Sequence, residues 1–94
     1  MTRASIRAAA ADAIGELTGY SPEKINETDD LVRDLGVDSM VAVRLLVAIE
    51  DRIGTMLPDG SEGSLVGART VAELVERLAV VFAVQFIENH GVVP

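Results

Sequence analysis

The stretch Ser39-Met40-Val41-Ala42-Val43-Arg44-Leu45-Leu46-Val47-Ala48-Ile49-Glu50-Asp51-Arg52-Ile53 carries two apolar stripes on a single helical period. At about 100° per residue, Ala42, Leu45, Leu46, Ile49 and Ile53 fall within one arc of roughly 100°, the width of an ordinary core-facing stripe. Met40, Val43 and Val47 lie almost opposite, with Glu50 on one flank and Arg44 and Asp51 on the other. Two readings fit this pattern. Either the helix is central and packed on every side, or its second stripe is an exposed apolar strip with a charged rim, as on a docking surface. A chain of 94 residues has a small core, which favours the exposed strip.

Beyond this helix, residues 54–67 are irregular, with Pro58, Asp59-Gly60, Ser61 and Gly63 marking turns and Ser64-Leu65-Val66 fitting one short helical turn. Thr70-Val71-Ala72-Glu73 then forms a capping box that opens a helix running to about Asn89. Leu74, Val75, Leu78, Val81 and Phe82 are its core candidates, while Val80, Ala83, Val84, Phe86 and Ile87 make its far end apolar nearly all round. Before the central stretch, residues 19–38 form a long connection rich in turn formers and acids: Glu23, Glu27, Asp29, Asp30, Asp34 and Asp38 face only Lys24 and Arg33. A connection this long in a small domain is pinned by its own side chains or serves a function, and Ile25, Leu31, Val32 and Leu35 are the candidate pins. At the N-terminus Ile6, Ala10, Ala13 and Leu17 mark one face of a helix from Thr2 to about Thr18, stopped by Gly19 and Ser21-Pro22. These readings give an all-α fold: a small four-helix bundle of three main helices and one short one, with a long first loop. Residues 1–94 are read as a single domain, with a core at about 3–83 and an extension at 84–94.

Composition narrows the chemistry. No cysteine is present, which excludes disulfides, thiolate metal sites and a cysteine nucleophile. His90 is the sole histidine, so neither a Ser-His-Asp triad nor a multi-histidine metal centre is expected. A net charge of −7 repels phosphate backbones and argues against nucleic-acid binding. Asp12 and Glu16 interrupt any signal-peptide core, and the longest apolar run, Leu78 to Val84, is far short of the roughly 20 residues of a membrane span. A cytoplasmic protein that does not insert into membranes is the expectation.

The segment Leu35-Gly36-Val37-Asp38-Ser39-Met40 hands the acidic loop over to the helix. A serine there is ordinarily an N-cap, and Asp38 is an equally ordinary cap one position earlier. The functional alternative starts from the same geometry: a phosphate attached to a hydroxyl at a helix N-terminus meets N–H groups and the positive end of the dipole. As a nucleophile Ser39 lacks a base, since His90 is remote in sequence and Asp38 alone activates it poorly. Ser39 reads as an attachment point.

Here the chain resembles the acyl carrier proteins, over about residues 3–83. Leu31-Val32-Arg33-Asp34-Leu35-Gly36-Val37-Asp38-Ser39-Met40 is similar to the family's signature around its modified serine, and Leu57-Pro58-Asp59 resembles the turn that follows the recognition helix. The resemblance implies that a phosphopantetheinyl transferase attaches 4′-phosphopantetheine to Ser39, and that the arm's thiol holds acyl groups as thioesters. It further implies that Asp38 helps the transferase recognise Ser39. Met40, Val43, Arg44, Val47, Glu50 and Asp51 would meet partner enzymes such as acyltransferases, ketosynthases or acyl-activating enzymes. No metal site and no catalysis by the chain itself are implied. Arg44 departs from the family by standing where many members have an acid.

The expected function is a discrete acyl carrier of fatty-acid, polyketide or related secondary (antibiotic-type) metabolism, an expectation that leans on the start at Met1 and the lack of long flanking linkers. Two alternatives stay open: an aminoacyl or peptidyl carrier on the same fold, and an unmodified helical interaction module that uses the Met40, Val43 and Val47 stripe. A monomer is expected, with Phe82, Phe86 and Ile87 as the alternative self-association patch.

Overall fold

The computed structural model describes residues 2–58 and 60–90, and the side chains of the last helix as far as Ala83. Four helices follow in order: α1 (Arg3–Thr18), α2 (Ser39–Ile53), the short α3 (Glu62–Val66) and α4 (Val71–His90). A single 3-10 turn at Pro22–Lys24 interrupts the long first loop. Among the described residues there is no strand, and the fold is the expected helical bundle.

The helix ends are set by the residues that the sequence offers for the purpose. Thr2 and Ser5 exchange side-chain bonds in a capping box at the start of α1. Thr70 and Glu73 do the same for α4, where Glu73 Oε2 accepts from the Arg69 and Thr70 N–H groups at 2.6 and 3.4 Å. Gly15, inside α1, is required by a close approach: a Cβ there would lie 2.7 Å from the carbonyl oxygen of Tyr20. Its bare backbone lets the chain turn back over the end of α1.

α1, and not α2, is the hub: it packs against both α2 and α4, while α3 bridges α2 and α4. Ile14, Ile49, Leu65, Leu74, Leu78, Val71 and Val75 are fully buried at the centre. The α1 face is wider than its spacing suggested, since Ala9, Ala11 and Ile14 join Ile6, Ala10 and Ala13 in the core. Leu17, expected on that face, is exposed; it lies in the last turn beside the Gly19 stop, beyond the end of the buried stripe. In α4, Leu74, Val75, Leu78 and Phe82 are buried as expected, and Val81 packs half-buried against them. Of the alternative self-association patch, Phe82 is buried in the core, and Phe86 and Ile87 lie outside the described side chains.

The first loop is pinned by Ile25, Leu31, Leu35 and Val37. Val32, expected as a pin, is 60% exposed. The reason is the turn that Asp30 organises. Its Oδ1 accepts from the N–H groups of Val32 and Arg33, and its carbonyl accepts from Asp34 and Leu35. This helical pitch puts Leu31 and Leu35 on one side and Val32 on the other.

The loop is also stitched to the segment that enters α4. Leu31 N–H donates to the Arg69 carbonyl at 2.8 Å, Val71 N–H to that of Asp29 at 3.1 Å, and Ala72 N–H to that of Glu27 at 2.9 Å. Side chains reinforce the seam: Arg69 Nε reaches Asp30 Oδ2 at 3.2 Å, and Arg3 pairs with both Glu27 and Glu76. No helix of the described residues is long and apolar enough to cross a membrane.

Candidate functional site

Gly36 leads into the site with φ of +70°, a left-handed conformation that a side chain would strain. Val37 N–H then donates to the Leu31 carbonyl at 2.7 Å, which turns the buried Val37 inward and presents the next two residues at the surface. Asp38 is the N-cap of α2: its Oδ1 accepts from the Val41 N–H at 2.9 Å. Of the two residues that could cap the helix, Asp38 is the one that does. Because Asp38 does the capping, Ser39 is the first residue of the helix and its exposed side chain stands outside the cap.

Beside Ser39 opens a pocket of about 190 Å³. Leu31, Val32 and Val37 of the first loop form one wall, and Ala42, Leu45 and Leu46 of α2 another. Leu65 and Val66 of α3, with Ala68 and Leu74, close the far side, while Asp38 and Ser39 stand at the rim. Ten of its twelve lining residues are aliphatic. Sequence spacing could not reveal this pocket, because its walls come from segments far apart in the chain; the exposed Val32 is one of its lips.

Along α2 the second stripe is open to solvent: Met40, Val43 and Val47 are 73%, 52% and 54% exposed. Arg44 and Asp51 are exposed on its border. Glu50 differs from the other border residues. It is half-buried, and its Oε2 accepts from the Leu57 N–H at 2.6 Å, so it ties down the chain that leaves α2.

The acidic loop has its charges fixed by donors. Asp30 is held below the usual carboxylate range chiefly by the Arg33 N–H, with help from Arg69 and the Val32 N–H. The Arg3 guanidinium does the same for Glu27, and the Arg69 N–H for Glu73. Among the described residues no group of histidine, cysteine or acidic side chains is arranged to hold a metal ion.

The family model described as the phosphopantetheine attachment site matches residues 8–78, a span that takes in most of α1, the loop, Asp38-Ser39, α2, α3 and the start of α4. The chain belongs to the acyl carrier protein family. It is 37% identical over 75 residues to the meromycolate extension acyl carrier protein of Mycobacterium tuberculosis, covering 80% of this chain and 63% of that one. It is 36% identical over 74 residues to the protein of the same name from Mycolicibacterium smegmatis, covering 79% and 72%. An acyl carrier protein of Rhodococcus erythropolis is 34% identical over 74 residues, covering 79% and 78%. The match thus spans less than two thirds of the length of the M. tuberculosis relative. Proteins of this family are carriers rather than enzymes, and their prosthetic group is phosphopantetheine.

The site suits that group on its own geometry. An exposed primary hydroxyl at the first position of a fifteen-residue helix places an attached phosphodiester at the positive end of the dipole. The aliphatic pocket at the same rim offers an apolar alternative to water for what an acyl carrier holds.

Proposed function

We propose that Ser39 receives the 4′-phosphopantetheine arm and that residues 1–94 act as one carrier domain, holding acyl intermediates as thioesters between enzymes of chain elongation. The observation that carries this reading is the exposed Ser39 side chain, left outside the α2 cap by Asp38 and set at the rim of an aliphatic pocket. In the loading step the Ser39 Oγ–H bond breaks and Oγ takes the pantetheine phosphorus of coenzyme A, with 3′,5′-ADP as the leaving group. The neighbouring carboxylate, Asp38, is engaged by the Val41 N–H as the α2 cap, so the proton passes to the transferase. Once attached, the arm supplies the thiol that this cysteine-free chain lacks.

The chain's own residues then orient and present. Asp38 fixes the first turn of α2 and offers its charge to the transferase. Met40, Val43 and Val47 give a partner an apolar contact, with Arg44 and Asp51 on the border for register. The names of the relatives favour acyl chains of a fatty-acid type over polyketide or aminoacyl cargo. Partners are accordingly a phosphopantetheinyl transferase, acyl-loading enzymes and a condensing enzyme, in the cytoplasm.

The test is intact mass after incubation with coenzyme A, magnesium and a promiscuous phosphopantetheinyl transferase, with Ser39→Ala beside it. A gain of one phosphopantetheinyl unit that the alanine variant lacks is expected. No gain on a folded chain with several transferases would overturn the reading and leave α2 as the surface of an unmodified interaction module.

A further inference from the structure

A relay of two backbone bonds runs from the entry of α4 to the approach to Ser39. The Arg69 carbonyl accepts the Leu31 N–H at 2.8 Å, and the Leu31 carbonyl accepts the Val37 N–H at 2.7 Å. Val37 is buried and lies two residues before Ser39, so the seat it takes sets where Asp38 and Ser39 emerge. For Val37 to return to Leu31, residues 32–36 must close a turn, which costs chain entropy. Burial holds that turn weakly, since of those five residues only Leu35 is buried.

Asp30 closes it. Its Oδ1 accepts from the Val32 and Arg33 N–H groups at 3.0 and 2.8 Å, and its own N–H donates to Asp34 Oδ2 at 2.7 Å. Its Oδ2 meets the Nε of Arg69, the residue whose carbonyl anchors Leu31. This is the bonding of a helix N-cap, made in a turn that does not go on to a helix. The carboxylate is only 17% exposed, so water does not compete freely for the N–H groups it holds. We infer that Asp30 is a positioning residue for the loading of Ser39: by closing the turn it seats Val37 on Leu31, and so fixes where the Ser39 hydroxyl is presented. The bonds to Oδ1 need an acceptor, which asparagine also offers, whereas the pair with Arg69 needs the charge. The effect on loading rests on the carrier reading; the seating of Val37 does not.

Two readouts on the full chain test it, both taken well below the melting temperature so that lost stability alone moves neither. The first is the NMR coupling across the hydrogen bond from the Val37 nitrogen to the Leu31 carbonyl carbon, measured on the unmodified protein. It should weaken or vanish in Asp30→Ala and return in Asp30→Asn. The second is loading with coenzyme A, magnesium and a promiscuous phosphopantetheinyl transferase. Asp30→Ala should lose about five-fold in kcat with KM kept, because the strip of Met40, Val43 and Val47 still docks, and Asp30→Asn should recover the rate. An unaltered coupling in Asp30→Ala would overturn the inference. So would an unchanged kcat, or a loss carried by KM, which would place the effect on docking. An asparagine variant as impaired as the alanine one would overturn it as well, by making the Arg69 pair the effective contact. If the parent is never loaded, the carrier reading fails, and the Val37 coupling still decides whether Asp30 seats the loop.

Discussion

Asp38 caps α2 and, on the proposed reading, marks Ser39 for the transferase, and the two roles can be separated chemically. As N-cap its Oδ1 takes the Val41 N–H, a role that asparagine fills nearly as well and alanine cannot. As the acid beside Ser39 its charge is what a transferase would read, and asparagine removes that charge. Asp38→Asn should therefore melt within about 0.5 kcal/mol of the parent, while Asp38→Ala loses about 1 kcal/mol. Both should be loaded by the transferase with a lower kcat/KM. Thermal melts and loading rates on the same preparations check this, and normal loading of Asp38→Asn would reduce Asp38 to a plain cap. The pair also shows what the sequence could and could not say. Asp-Ser at the head of an amphipathic run was legible as a helix start, but either residue could have been the cap. The choice depends on Val37 turning inward to bond Leu31, six residues back.

At the scale of elements, α2 was the most legible part of the chain because both of its faces are written in one contiguous period. The strip of Met40, Val43 and Val47 is exposed because α1, rather than α2, occupies the centre, so that α2 is covered from the α1 and α3 sides only. Features made by several segments were not legible. Val32 reads as an apolar pin until the Asp30 turn rotates it outward, and the pocket needs the first loop, α2, α3 and the start of α4 together. Glu50 looks like rim charge until the chain after α2 returns to bond it. The strip itself supports a sharp expectation. Val43→Asp adds a charge at a site more than half exposed, so thermal stability should change by no more than about 0.5 kcal/mol. Loading of Ser39 by the transferase should nevertheless fall, read as a higher KM. An unaltered KM in both Val43→Asp and Val47→Asp would remove the strip from the partner surface.

Over the whole molecule two electrostatic effects oppose each other as pH falls. A net charge of −7 repels itself, and protonating acids relieves that repulsion. Against this, Glu27 ties the first loop to α1, Asp30 ties it to the segment entering α4 and Glu73 caps α4, and all three have folded pKa values below their ordinary ones. A carboxylate depressed by folding contributes stability that is present above its unfolded pKa, about 4, and that disappears as pH drops through the folded value. The specific bonds should win below about pH 4, because repulsion is screened by salt while donors in contact with their acceptors are less so. Melting temperature should thus stay level or rise slightly from pH 7 to about 5, then fall steeply, with the fall persisting in added salt. Asp30 separates the causes. Its largest influence is the Arg33 N–H, not the Arg69 guanidinium, so Arg69→Gln should keep most of the acid limb. Asp30→Asn keeps an acceptor for the turn but has no proton to gain, and should flatten that limb. Superimposable acid limbs in Asp30→Asn and the parent would show that the loop seam is not what acid breaks first. The Ser39 pocket would then keep its loop wall under conditions that unfold the rest, which the stitching of Leu31 to Arg69 makes difficult to reconcile with a shared core.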